Sequence, residues 1–366
     1  MSTLTVAVDP PYDVEIEPGA LELVAAKLKD RKRVAVVSQA TIADTYSARL
    51  LASIESETNA RVGLFLMGDG EASKSMTTVE DLCRRFADWG LLRGDAIVAL
   101  GGGVVGDTAG FAAAVYHRGV AIVQVPTTLL AMVDAAIGGK TAVNLAEGKN
   151  LVGAFHQPVA VVVDTSTLET LGQREFLSGL GEVAKYALLT DVVTDPTGLT
   201  ALLRLRSSAV LDRDPDVLAE VVACCVAIKA EVVAADPFEQ TGRRATLNLG
   251  HTFAHALETV GGYDLTHGEA VAIGLVFAGA LAGACGRVGS DVVDRYQALP
   301  HALGLPTQVP DGESGDAEQL LAVMRRDKKA AGGLSFVLPG QNGIERVDDP
   351  SDEALRYAFA SVGIGI

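Results

Sequence analysis

Short, almost wholly apolar runs alternate with helix-like stretches through the first half of the chain. Residues 34–37 (VAVV), 63–66 (GLFL), 96–100 (AIVAL), 121–125 (AIVQV) and 159–163 (VAVVV) have the pattern of strands buried on both faces. Turn residues and then a helical pattern follow most of them, as in 78–89 after the second run. This alternation predicts a largely parallel sheet covered by helices. After about residue 172 the pattern changes. From Arg174 onward, Ala/Leu/Val/Glu-rich helical stretches dominate, with few strand-like runs until 334–338. Residues 194–198 (TDPTG) and 236–242 (DPFEQTG) read as interhelix loops. No internal repeat or low-complexity tract interrupts this order. The expected fold is an α/β, Rossmann-like domain over residues 1–172 and a mainly α-helical domain over 173–366.

Composition agrees with an ordinary globular protein: 49% of the 366 residues are hydrophobic and 21% charged. A net charge of −16 argues against nucleic acid or an anionic membrane as partner. A small anionic ligand would need a local cluster of cations. The four cysteines, Cys83, Cys224, Cys225 and Cys285, form no CxxC pair and read as reduced core thiols. The N-terminal residues lack the basic start and apolar stretch of a signal peptide. No unbroken apolar run reaches the roughly 18 residues of a membrane span. The expectation is a cytoplasmic protein without a membrane segment.

Three features carry chemistry. Gly101-Gly102-Gly103-Val104-Val105-Gly106-Asp107 follows the strand ending at Leu100 and precedes a helical pattern over 108–116. It satisfies GxGxxG, whose glycines let the backbone approach a pyrophosphate at a helix N-terminus. A glycine-rich turn with no ligand fits the same residues. The acidic residue expected about 20 positions later is missing, because a strand occupies that region. Asp69, Gly70, Glu71 and Lys74, after an earlier strand, can bring a carboxylate to a ribose instead. Second, His251 and His255 lie four apart on a predicted helix and His267 follows closely. That spacing suits a metal with a third ligand from elsewhere, or a pair of core histidines. Glu182, in GLGEVAK, is a candidate carboxylate ligand, although a lone helical Glu is more often solvated. Third, cations stand beside Gly, Ala or Asn in GGKT (Lys140), GKN (Lys149), Lys185, Lys229, Arg243-Arg244 and DKK (Lys328, Lys329). In so acidic a chain they suggest a pocket for a doubly anionic ligand, such as a phosphate plus a carboxylate.

Taken together, GGGVVGDTAGFAAAVYHRG, VPTTLLAMVDAAIGGKTAVN, GKNLVGAFHQP, GLGEVAKY, NLGHTFAHALE, HGEAVAIG and DKK resemble successive signature blocks of the 3-dehydroquinate synthase family. The resemblance implies a dehydroquinate synthase-like fold: an NAD-binding N-terminal domain, a helical metal-binding C-terminal domain, and a homodimer. It assigns the metal to Glu182, His251 and His267, with Zn2+ or Co2+ the expected ion, and moves His255 to the substrate phosphate. NAD+ contacts carry over to Asp69, Gly70, Glu71, Lys74, Gly103, Val104, Val105, Gly106, Asp107, Thr127, Thr128, Lys140, Lys149, Thr167, Leu168, Glu169 and Thr170. Catalytic roles carry over to Lys140, Lys185, Lys229, Arg244, Asn248 and His255. Substrate contacts carry over to Asp134, Lys149, Asn150 and Lys328 (Lys329 being the alternative), with Arg118 reaching the neighbouring subunit's site.

The implied reaction converts the sugar phosphate 3-deoxy-D-arabino-heptulosonate 7-phosphate to 3-dehydroquinate. It runs by transient oxidation, phosphate elimination, re-reduction and aldol closure, a step of the shikimate pathway to aromatic amino acids. Lys229 and Arg244 would pair with the substrate carboxylate, which cyclases of sedoheptulose 7-phosphate or glucose 6-phosphate do not need. The nearest alternative is an aminodehydroquinate synthase of antibiotic pathways, towards which GLGE and KTAVN lean and from which Lys185 points back. An iron-type alcohol or glycerol dehydrogenase shares the two-domain plan but would not need the GGKTAVN, GKN and DKK cations.

Overall fold

Five of the seven strands in the main sheet coincide with the all-apolar runs. In chain order the first part comprises β1 (Ser2–Val6), β2 (Tyr12–Glu17), β3 (Arg33–Gln39), α1 (Ala40–Glu57), β4 (Arg61–Met67), α2 (Met76–Trp89), β5 (Ala96–Gly101), α3 (Gly103–Val115) and β6 (Ala121–Pro126). The hairpin β7 (Lys140–Leu145) and β8 (Gly148–Phe155) follows, then β9 (Ala160–Asp164). The helices α4 (Gln173–Thr190), α5 (Leu199–Leu211), α6 (Pro215–Ala235), α7 (His251–Val260), α8 (His267–Ala284), α9 (Ser290–Ala302) and α10 (Ala317–Asp327) come next. A second hairpin, β10 (Ser335–Gly340) and β11 (Gly343–Asp348), and α11 (Asp352–Ser361) end the chain. This computed structural model describes residues 2–190, 197–261, 265–310, 317–327 and 333–365. Lys328, Lys329 and residues 194–196 of the first expected loop lie outside them.

The chain folds as two compact units, Met1–Leu171 with Arg213–Phe238, and Gly172–Asp212 with Glu239–Ile366. Where the sequence suggests one unbroken second domain from 173, the structure assigns α6 to the first unit. There α6 packs on β1, β2 and the short helices Ala131–Ala135 and Thr165–Thr170. Its apolar periodicity fixes a buried face but not which core that face meets.

In the first unit the sheet runs β1-β2-β9-β6-β5-β3-β4, parallel except for β1. Numbered along the chain from β3, the five parallel strands after β2 read 2-1-3-4-5. This order reverses direction between β3 and β5 and leaves a crevice beyond the strand C-termini. Residues 34–37 and 96–100 are buried throughout, as a sheet covered on both faces requires. The helix after the glycine turn starts at Gly103, five residues before the sequence expectation, so Gly103 and Gly106 lie in its first turn.

The second unit is built around α8. All but its ends are buried, and α4, α7, α9, α11 and β10 pack on it. Phe253 of α7 stacks on Phe277 of α8 with ring centroids 4.2 Å apart, and Phe359 meets Phe277 edge-on at 5.2 Å. Among the described residues α8 is long and apolar enough for a membrane span, but most of it lies inside the protein.

Candidate metal centre and nucleotide site

Glycines let three helices approach closely enough to gather charged side chains. A Cβ on Gly181 of α4 would lie 2.2 Å from the Gly268 carbonyl oxygen of α8, and one on Gly268 would lie 1.8 Å from the Ser178 carbonyl oxygen. Backbone therefore meets backbone where Glu182 and His267 stand. The turn before α7 is equally tight: a Cβ on Gly274 would lie 2.2 Å from the Gly250 carbonyl oxygen, beside His251. The start of α8 is fixed by a capping box, with Thr266 Oγ1 accepting from the Glu269 N–H and the Glu269 carboxylate accepting from the Thr266 N–H.

The result is a cluster in which donor atoms of Glu182, His251 and His267 lie within 4.8 Å of one another. Glu182 Oε1 is 3.5 Å from His251 Nε2 and 3.3 Å from His267 Nε2. The other ring nitrogens face elsewhere: His251 Nδ1 lies 3.1 Å from the Leu249 carbonyl, and His267 Nδ1 lies 3.4 Å from Glu258 Oε2. Two imidazoles oriented through Nδ1 and a carboxylate meeting at one point fit a divalent metal with an open position. Lys185 is buried beside them, ion-paired with Glu182 and set 4.7 Å from the Tyr186 ring centroid. Burial pushes His251 down to about 3, and the Lys185 ammonium adds to the effect. Burial acts the same way on His267, but the hydrogen bonds its ring donates to Glu182 and Glu258 outweigh it and hold that ring up at about 10. His255, the partner that spacing suggests, stands outside the donor cluster, with its ring 5.4 Å from that of His251 and 6.5 Å from that of His267. Glu258 escaped the sequence reading. Its signal was a carboxylate on the buried face of α7, two turns after His251.

Arg244 and Asn248 occupy the 3-10 turn Arg243–Asn248 just before α7; Arg244 is buried and Asn248 exposed.

In the first unit the candidate nucleotide residues collect after the C-termini of four parallel strands: Asp69, Gly70, Glu71 and Lys74 after β4, Gly103 to Asp107 after β5, Thr127 and Thr128 after β6, and Thr167 to Thr170 after β9. The N-terminus of α3 has no side-chain cap, so its amides remain available to an anion. Thr127 is buried and its Oγ1 has no partner among the described residues. Both observations fit a bound dinucleotide. Lys74 is buried, with its ammonium on Asn150 Oδ1 and 2.6 Å from Asp107 Oδ2. Burial nevertheless pushes the Asp107 carboxyl above its usual range, against the opposing pull of Lys74. Tyr46, also unforeseen, donates to the Thr167 carbonyl at 3.2 Å and lies 2.5 Å from Thr170 Oγ1.

Lys229 of α6 donates to the Asp134 carbonyl at 2.6 Å and to Asp134 Oδ1 at 2.7 Å. Asp134 belongs to a single π-helical turn, Ala131–Ala135, a local widening frequent at functional sites. Lys140 on β7 and Lys149 and Asn150 on β8 are exposed. Arg118 is exposed too, in left-handed backbone at φ 61°.

Comparison with known proteins places this architecture. Over 99% of its length the chain matches the 2-epi-5-epi-valiolone synthase of Streptomyces hygroscopicus subsp. jinggangensis 5008, solved with NAD+ and Zn2+ (98% of that chain, 29% identity, TM-score 0.84). The class is that of the sugar phosphate cyclases. Sequence narrows it further. The profile described as 3-dehydroquinate synthase N-terminal matches residues 64–178, and its C-terminal counterpart matches 179–330. A 3-dehydroquinate synthase of Caulobacter vibrioides is 47% identical over 357 residues, 95% of either chain. A candidate aminodehydroquinate synthase of Amycolatopsis mediterranei is 47% identical over 341 residues, 92% of this chain and 88% of its own. The chain thus belongs to the 3-dehydroquinate synthase family.

Proposed function

We propose that this protein converts 3-deoxy-D-arabino-heptulosonate 7-phosphate to 3-dehydroquinate and phosphate, with NAD+ and one divalent metal as resident cofactors. The observation that carries the reading is the convergence of Glu182, His251 and His267 beside the buried Lys185, in a chain 47% identical to a 3-dehydroquinate synthase. When bound, the metal supplies Lewis acidity at the substrate hydroxyl, and the nicotinamide supplies reversible hydride exchange.

The remaining chemistry falls to the chain's own groups. Glu182, His251 and His267 hold the cation. Lys185, ion-paired with Glu182, offers its N–H donors to oxygen that gains negative charge. Lys229 and Arg244 bind the substrate carboxylate. Asn248, His255 and Lys140 bind the phosphate, and Lys149, Asn150 and Asp134 orient the carbon chain between these anchors, with Lys328 as a further contact. Separate cation sets for the two anionic ends keep a flexible substrate in one reactive geometry through elimination and ring closure. The nucleotide lies along Asp69, Gly70, Glu71, Lys74, the first turn of α3, Thr127, Thr128 and the segment from Thr167 to Thr170.

We read the working form as a cytoplasmic homodimer in which Arg118 completes the neighbouring site. The exposed Arg118 in left-handed backbone supports this, since non-glycine residues held so cluster at functional positions. Four free thiols suit a reducing compartment.

A second substrate deserves a parallel assay. The Amycolatopsis relative is as similar as the Caulobacter one, so the amino analogue of the heptulosonate phosphate is the alternative. The test incubates metal-loaded protein and NAD+ with each substrate and follows phosphate release, with dehydroquinase coupled to identify the carbocycle. Fast release with dehydroquinate formed and no net NADH is expected. Preference for the amino analogue would favour the second reading, and NADH accumulation from simple polyols would overturn both.

A further inference from the structure

The β7–β8 hairpin is irregular at one place. Val143 pairs with Val152 and Leu145 with Gly148, so one residue of β7, Asn144, faces three of β8: Lys149, Asn150 and Leu151. Extra residues on one strand leave the regular ladder, and such bulges re-aim side chains beside active sites. Here Asn150 adopts left-handed backbone at φ 58°. The Asn144 side chain stands in for the lost ladder, its Oδ1 accepting the Asn150 N–H at 2.9 Å. From the same amide, Nδ2 donates to Glu71 Oε1 at 2.7 Å. The Asn144 backbone N–H donates to the Lys74 carbonyl at 2.9 Å, extending a short parallel bridge between Ser75 and Asn144. Lys74 closes the circuit, with its ammonium on Asn150 Oδ1 and Asp107 Oδ2.

We infer that Asn144 is a positioning residue that couples the nucleotide loop to the substrate corner of the hairpin. The inference rests on the reading that Glu71 and Lys74 serve NAD+, while Asn150 and Lys149, the latter also lent to NAD+ by the resemblance, serve the sugar phosphate. Asn144 touches the two sets from one amide, accepting on one side and donating on the other. Aspartate lacks the donor and alanine lacks both. Two ligands that favour the same arrangement of one network bind with positive, reciprocal cooperativity. NAD+ that orders the loop carrying Glu71 and Lys74 therefore presents Lys149 and Asn150 in their binding geometry, and substrate does the converse.

The test measures NAD+ affinity calorimetrically on zinc-loaded, full-length protein, with and without a carbocyclic phosphonate analogue that cannot lose phosphate. In the wild type the analogue is expected to tighten NAD+ about tenfold, within the usual range of such couplings. In Asn144→Ala the two NAD+ constants become equal. Asn144→Asp keeps the acceptor for Asn150 but turns a carboxylate on Glu71. It is expected to weaken NAD+ alone, while the affinity for the analogue alone stays unchanged. A general folding defect would weaken both ligands in both variants. Full coupling in Asn144→Ala, or equal loss of both ligands in Asn144→Asp, overturns the inference. A wild type that binds both ligands without coupling overturns it alone. One that binds neither removes the functional reading with it.

Discussion

The two units build their sites by opposite means. In the first, ligand groups sit on turns beyond the sheet, and Lys140, Lys149 and Asn150 are exposed. Much of what that unit offers is backbone: a glycine turn and the open N-terminus of α3. In the second, Glu182 and Lys185 have side chains 1% and 2% exposed, clamped where helices touch backbone to backbone. A rigid sheet carrying adaptable turns can change its ligand contacts at little cost to the fold. A centre whose ligands grow out of the helical core ties metal geometry to packing. Substitutions in the second unit should therefore move binding and stability together more often than those in the first.

The sharpest break is His267→Ala. It removes a donor without enlarging any core side chain, so metal-dependent turnover should fall to background while the circular dichroism spectrum is retained. Normal turnover would sink the ligand assignment. Next is Lys74→Ala, the buried exception among the first unit's turns, which leaves Asp107 enclosed without its cation and should cost about 3 kcal/mol at neutral pH. Burial already raises the Asp107 carboxyl against the pull of Lys74, and losing that cation raises it further. The loss should thus shrink as pH falls and grow as it rises, read by urea melts across pH. An unvarying loss would show that Asp107 does not titrate with folding. Gly268→Ala inserts a methyl against the Ser178 carbonyl and should cost about 1–3 kcal/mol, with metal affinity falling in parallel. Unchanged affinity in a destabilised protein would separate packing from metal geometry and break the comparison. Glu258→Ala frees the His267 ring and should weaken zinc about 10–100-fold in chelator competition, with Glu258→Gln recovering part of it. The smallest effect belongs to Thr266→Ala, about 1 kcal/mol from the lost cap of α8, measured by denaturant midpoint.

The runs of β3, β5 and β9 were legible because burial on both faces leaves them no polar positions, whereas β4, read as buried from the same pattern, exposes Leu64 and Leu66 at the sheet edge. β1 (STLTV) and β2 (YDVEIE) alternate with polar residues and passed unread. The β7–β8 hairpin was hidden for a different reason: its lysines and asparagines look like a ligand loop, and the ladder that carries them is largely solvent-exposed. At the metal centre, periodicity could join His251 only to His255, since both lie on one helix. Glu182 and His267 reach it from α4 and α8, and no local pattern announces a contact made through glycines on separate helices. The family resemblance supplied that link, and the geometry supports it. Glu258 and Asn144 went unnoticed because each acts on a neighbouring side chain, a relation with no signature in spacing.

His251 and His267 are the first residues of α7 and α8. Each helix start carries a partial positive charge of about half a unit from its aligned peptides. A dication held there would share its surroundings with two such poles and with Lys185, against the formal charges of Glu182 and Glu258. Such a field disfavours neutral occupants of the open coordination position relative to anionic ones. The centre is thereby biased towards oxyanions before any substrate-specific residue acts, and small inorganic anions should compete there even when they resemble the substrate in nothing but charge.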